Sequence, residues 1–252
     1  MLGQKLLLDD LPVSTVHQAR LQMYQATTRP KMITETFNTK WGTVKVTGKI
    51  GQVHAGLMEA LITSADRIRE LDSGRIQLLV DPYKVRILTY GGKQGSYERV
   101  WAMLHDLMGV VIEFDVPGRN LRALGHILDS VEESPFMVLK RNPLTGEQRP
   151  MWRVTIADAF VKIMGMDLAL HYDPKPIAKL TTGIAQAVAR HVATHRSAPN
   201  GGWHIDGIIQ AAGGGRTVKQ LQNQRADLKN DQEGLKALGL TVEDGRLKRI
   251  NG

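Results

Sequence analysis

The sequence predicts an α+β protein built from two tandem units, each a set of short helices closed by a β-hairpin. Three observations predict it. The order helix, short strand, helix, glycine turn, helix, strand can be read twice, with Asp81 and Asp206 in equivalent places 125 positions apart. The turns match in chemistry, "YGGKQGS" in the first copy and "AGGGRT" in the second. The chain then ends on "GLTVEDGRLKRI", in which Asp244-Gly245 is the turn dipeptide of a hairpin. The expected division is a flexible N-terminal arm over 1–31, a first unit with a leading hairpin over 32–157, and a second unit over 158–252.

The elements follow in order. "KMITETFNTKWGTVKVTGKI" alternates around a polar turn and predicts the leading hairpin. From Gln52 to Leu71, apolar residues at Val53, Leu57, Leu61, Ile68 and Leu71 recur at helical spacing, and Ser73-Gly74 ends the pattern. "RIQLLV" is β-compatible. Asp81-Pro82 then supplies an N-cap and a first-turn proline for a short helix stopped by Gly91-Gly92. Ser96 is placed to cap the next helix, whose inward face reads as Tyr97, Val100, Trp101, Leu104 and Met108. "VVIEFDVPG" is a strand entering a turn, while "LGHILDSVEES" and "MWRVTIAD" read as paired strands around the exposed loop "RNPLTGEQRP".

In the second copy "IAQAVARHVATHR" is the first helix and "WHI" the short strand. Asp206 is expected to cap "GIIQAAG", and a long helix is expected from Thr217 to Leu238. Helices in this order followed by a hairpin make a winged helix, in which the last helix enters a major groove and the hairpin touches the backbone. Two such units on one chain would read successive grooves on one face of DNA.

Charge agrees with a polyanionic partner. The chain carries a net charge of +8, and from Pro174 to Gly252 there are 12 Lys plus Arg against 6 Asp plus Glu, whereas the preceding residues hold 21 against 19. The excess therefore lies in the second unit. The absence of Cys removes disulfides and thiolate chemistry and suits a reducing cytosol. No apolar stretch approaches the roughly 18 residues of a membrane span, and no signal peptide is legible at the start.

On the expected helix from Thr217, Val218, Leu221, Leu228 and Leu235 fall on one side. Lys219, Asn223 and Asn230 fall on the other, with Arg216 at the start and Gln220 at the edge. Arg and Lys match guanine O6 and N7, whereas Asn and Gln match adenine N6 and N7. A solvated helix face would share this composition; the preceding capped helix and the basic hairpin after it favour base reading. Arg246, Lys248 and Arg249 are the expected wing contacts to phosphate. In the first unit the corresponding outward face reads as Ser96, Arg99, Met103 and Asp106, with Lys93 and Gln94 at its entrance and Arg119 and Arg122 after the following strand. That face is less basic and suits either weak DNA contact or a protein interface.

Catalytic signatures are poor. His191 and His195 are four apart, but position 192 is Val where a zinc protease would carry an acid, so they read as helix-surface histidines. "GGKQGS" lacks the Gly-Lys-Ser/Thr of a phosphate loop. No enzyme activity, metal or cofactor is expected.

"IAKLTTGIAQAVARHVATHRSAPNGGWHIDGIIQAAG", with Leu180-Thr181-Thr182 leading a helix of small residues and one Arg, resembles the second module of plasmid replication initiators. The similarity extends to the leading hairpin and to the strands between the units. The resemblance, which includes similarity to initiators of broad-host-range mobilisable plasmids, implies a tandem winged-helix protein that binds direct repeats (iterons) at an origin and acts in the bacterial cytoplasm. It further implies melting of an adjacent AT-rich segment, loading of the host replicative helicase and, in some members, a homodimer that represses its own promoter. Two other readings stand beside it: a winged-helix transcriptional repressor, and a protein-interaction scaffold that never touches DNA.

Overall fold

The computed structural model describes residues 11–40, 42–93, 95–138, 146–166 and 168–250. The chain opens with β1 (Ser14–Thr15), α1 (Val16–Arg20), β2 (Met32–Thr39), β3 (Gly42–Lys49), α2 (Gln52–Thr63), β4 (Ala65–Glu70) and β5 (Ile76–Val80). It continues through α3 (Pro82–Thr89), α4 (Tyr97–Gly109), β6 (Val111–Val116), β7 (Leu121–His126), β8 (Leu128–Met137), β9 (Pro150–Ile156) and α5 (Asp158–Met166). The last part holds β10 (Ala169–Leu170), α6 (Lys175–Lys179), α7 (Gly183–Ala193), β11 (Trp203–His204), α8 (Ile205–Ala211), α9 (Val218–Asn230), α10 (Gln232–Lys236), β12 (Leu240–Glu243) and β13 (Arg246–Arg249). The class is α+β, with every sheet antiparallel.

Two four-stranded sheets, β2-β3-β6-β7 and β4-β5-β9-β8, serve the first unit. Helix α4 packs on β3 and β7 of one and on β8 of the other. Burial alternates along β3 and β5, as it must when one face of a strand meets the core. Leu57, Leu61, Leu104, Leu107, Ile112 and Phe114 are among the residues closed off at its centre. The second unit has its own core of Ile184, Val188, Ile209, Leu228, Leu235 and Leu247, under the small sheet β11-β13-β12.

The two copies differ in pairing. In the second, the short strand β11 joins its own C-terminal hairpin through β13. In the first, β5 pairs with β4 and β9, while β6 and β7 extend the leading hairpin. The first copy also inserts β4 after its first helix and the second inserts α10 before its hairpin, so neither element order nor sheet membership repeats in full.

Several local expectations hold. The Asp81 carboxylate accepts from Tyr83 N at 2.8 Å and starts α3, which ends where Gly91 and Gly92 take positive φ. Ser96 Oγ accepts from Arg99 N at 3.1 Å and starts α4. Asp244 and Gly245 turn the last hairpin at φ 49° and 69°, the left-handed pair that a two-residue hairpin loop requires.

Four expectations are corrected. The helix expected to Leu71 stops at Thr63, because residues 65–70 pair as β4 with β5 instead. Asp206 is not a cap: α8 starts on His204, and the Asp206 carboxylate binds Arg225. The long helix to Leu238 breaks at Asp231, whose carboxylate is drawn into four hydrogen bonds of 2.7–2.8 Å from the backbone and hydroxyls of Thr181 and Thr182. Phe160, Ile163 and Met164 join the first core, although the second unit was expected from 158.

The expected arm is packed wherever it is described; residues 1–10 lie outside the described residues. Leu21, Met23 and Tyr24 enter the first core and Ala26 packs against the second. Arg20 donates to Thr194 Oγ1 and O at 2.8 and 3.0 Å, and Gln22 Nε2 to Gln210 O and Ala211 O. Thr27 threads between two glycines at helix starts. A Cβ on Gly183 would stand 2.2 Å from Thr27 Cα, and one on Gly51 2.7 Å from Thr27 O. Only a residue without a side chain admits that crossing.

The seam is closed by charge. Glu59 on α2 receives Arg190 Nε and Nη2 of α7 at 2.7 Å each, and Tyr172 Oη at 2.5 Å; Arg190 Nη1 donates to Gln52 Oε1 at 2.8 Å. Glu59, Gln52 and Arg190 are all buried.

Candidate nucleic-acid interface

Helix α9 is built for display. A reciprocal cap starts it: Thr217 Oγ1 accepts from Gln220 N at 3.2 Å, and Gln220 Oε1 accepts from Thr217 N at 3.1 Å. Its inward side is held at three places. Leu221 and Leu228 reach the second core, Gln224 Oε1 accepts from Gly215 N at 2.7 Å, and Arg225 makes a two-pronged pair with Asp206 at 2.5 and 2.6 Å. The Arg225 pairing holds the Asp206 carboxyl below its ordinary range.

The outward side carries Lys219, Asn223, Ala226 and Asn230, at successive steps of four, three and four residues, all exposed. Gln222 and Lys229 flank them. Among the described residues, no hydrogen bond or ion pair engages Lys219, Gln222, Asn223 or Asn230, so their donors and acceptors face solvent. Ala226 in mid-stripe removes bulk where a helix would approach a groove floor; the sequence reading passed over it and Gln222. Val218, expected on the buried side, is 74% exposed. Gln220 is spent on the cap.

Arg216 lies just before the cap. Its Nη2 is 2.7 Å from Glu35 Oε2 on β2, and its guanidinium sits 5.4 Å from the centre of the Phe37 ring. Hydrogen bonding to Arg216 holds the Glu35 carboxyl low. A strand of the first unit thus touches the start of the displayed helix of the second.

The wing residues divide. Arg246 is exposed, with Nη1 donating to Gly202 O at 3.2 Å, and Lys248 sits 3.4 and 3.5 Å from Glu243 and Asp244. Arg249 turns inward instead, donating to the carbonyls of Val192, His195 and Arg196 at the end of α7. It satisfies carbonyls that a helix end leaves open.

The first unit shows a different face. Lys93 is exposed, Gln94 lies outside the described residues, and Ser96 is engaged in its cap. Arg99 sits 5.7 Å from the Tyr90 ring, Arg119 is in a 3-10 turn (Pro117–Arg119), and Arg122 on β7 is 3.4 Å from Glu113. The phase expected for α4 is corrected: Met103 is buried, Asp106 is held by Lys49 at 3.1 Å and His54 at 3.3 Å, and Trp101 points out at 37% exposure. Two sheets pack on α4, which rotates the buried stripe to Val100, Met103, Leu104 and Leu107. Outside it, Trp101, Trp152, Tyr97 and His105 make edge-on ring contacts of 5.3–6.5 Å around an open groove of about 630 Å³ that Glu98 also lines. It is an aromatic, mildly acidic surface.

His191 is buried, not on the helix surface, with Nδ1 unpartnered and its ring 5.1 Å from that of His195. Among the described residues no three His, Asp or Glu side chains converge as a metal site, and no helix is long and apolar enough to cross a membrane.

No protein-family model matches the sequence, and no curated protein matches it. Among solved structures, the chain is similar in fold to domains 2 and 3 of RctB. The crystal structure of those domains superposes over 95% of this chain and 100% of its own, with a TM-score of 0.55 and 11% identity. A second crystal structure of RctB domains 2–3 covers 92% of this chain and 94% of its own, at a TM-score of 0.48 and 10% identity. At such identity the likeness concerns the fold alone.

Proposed function

We propose that this chain is a non-enzymatic, sequence-specific double-stranded DNA-binding protein that initiates plasmid replication in the bacterial cytoplasm. It binds directly repeated origin sites, promotes melting beside them and engages host replication proteins such as the replicative helicase. Its two units act as tandem winged helices, with α9 as the reading helix of the second. The observation that carries this is the outward stripe of α9: Lys219, Asn223 and Asn230 exposed and unengaged around Ala226, on a helix whose other side is locked in place. Arg246 and Lys248 supply backbone contacts. The fold likeness to domains 2 and 3 of RctB supports the fold on which this reading rests.

The first unit takes a second role in this proposal. Its α4 face offers Trp101 and Tyr97, over a buried Trp152, beside Glu98 where phosphate would need cations, so it is better matched to a protein than to DNA.

The deciding experiment is selection of the purified protein against a random duplex pool at about 150 mM salt, near physiological strength. An enriched asymmetric motif of about two helical turns, found as direct repeats beside an AT-rich segment, is the expected result. A palindrome would favour a dimeric repressor, and no enrichment would favour the protein-interaction scaffold.

A further inference from the structure

Glu35 and Phe37 stand two apart on β2, so both side chains lie on the same face of that strand, the face that also meets the core: they are opposite Val46 and Val44 in register, and both of those are buried. From there they reach across to the second unit. Glu35 Oε2 is 2.7 Å from Arg216 Nη2, and the Phe37 ring lies beneath the same guanidinium at 5.4 Å. A carboxylate and a ring thus hold one arginine from two sides.

A half-exposed pair of this kind adds little to stability, and a carboxylate beside a DNA-facing helix repels phosphate. What the pair does supply is order. A long arginine side chain has many rotamers, and fixing it before binding removes the entropy that a base contact would otherwise have to overcome. Arginine carries five N–H donors in a rigid fork, more than one carboxylate at Nη2 can take up, so donors remain for a base acceptor.

Resting on the DNA-binding reading above, we infer that Glu35, with Phe37, is a positioning residue that orients Arg216 toward one base position, so that the first unit sets part of the specificity of the second. The base is a guanine, whose O6 and N7 accept two hydrogen bonds from one guanidinium. Specificity at that position then depends on the contact between units as well as on α9.

The test compares wild type, Glu35→Gln, Arg216→Ala and Asn223→Ala in parallel selections from one random duplex pool. Glu35→Gln is expected to flatten the motif at the same position as Arg216→Ala, with a loss of preference there of about fivefold or more, and to keep the positions that Asn223→Ala loses. An unchanged motif in Glu35→Gln, even with uniformly tighter binding, would overturn the inference, since the carboxylate would then act only as a charge. Loss at the Asn223 positions as well would also overturn it, by showing a general disturbance of α9. Failure of wild type to enrich any motif removes the DNA reading itself, and this inference with it.

Discussion

Arg190 and Glu59 are joined in a buried, two-pronged ion pair that links helix α7 of the second unit to helix α2 of the first. Burial opposes the charge on Arg190, and the adjacent Glu59 more than offsets it. Taking one partner away strands the other in a dry seam. Arg190→Met is expected to cost about 3–5 kcal/mol of stability, measured by urea denaturation. Replacing both together, Glu59→Leu with Arg190→Met, is expected to recover much of that loss.

Gly183 admits the chain at Thr27. Adding a methyl there meets backbone atoms at 2.2–2.6 Å, which cannot be relieved by turning a side chain. Gly183→Ala should therefore destabilise by about 1–3 kcal/mol or more, despite alanine's better helix propensity. A thermal melt at or above the wild-type midpoint would contradict the clamp.

Asn223 is the centre of the displayed stripe of α9. Pairing with an adenine through its amide oxygen and nitrogen together, Asn223 is expected on replacement by Ala to lower discrimination between cognate and scrambled duplexes by about 1–3 kcal/mol. Competition binding at fixed salt measures it. Equal loss for both duplexes would assign Asn223 to the backbone instead.

The hairpin arginine and lysine should separate. Lys248→Ala is expected to weaken all DNA alike and lower the salt slope by about one. Arg249→Ala should instead lower stability by about 1–3 kcal/mol, because three carbonyls at the end of α7 lose a charged donor. Its effect on DNA should follow the folded fraction alone.

His191 makes the second unit sensitive to acid. Burial first, then His195, Arg20 and Lys40, lower its pKa from 6.5 to about 4. The unfolded chain thus binds the proton more tightly than the folded one, so stability is full above about 6.5 and falls as pH drops toward about 4. The size is on the order of 3 kcal/mol. His191→Phe should flatten the pH dependence of the melting temperature over that window; an unchanged slope would place its origin elsewhere.

Local chemistry was legible. Asp81 and Ser96 act as caps, Asp244-Gly245 turns the last hairpin, and Lys219, Asn223 and Asn230 face outward. Each of these is set by residues within a turn or two of chain, through a cap, a left-handed φ or a helical period, and such determinants are written side by side in the sequence. The α+β class follows from them.

What only the tertiary structure decided lies between residues far apart. Whether residues 65–70 form helix or strand depends on β5 being there to pair with them. The rotation of α4 that buries Met103 and exposes Trp101 depends on two sheets gripping it. Leu21 to Thr27 reads as an arm until both units close over it, and Arg190, Arg216 and Arg249 are alike in sequence. One locks the seam, one is held at the start of α9 by a strand of the other unit, and one closes a helix end. A charged side chain takes its role from the partner that desolvates it, and here each partner lies more than 50 residues away, beyond anything periodicity or turn chemistry encodes.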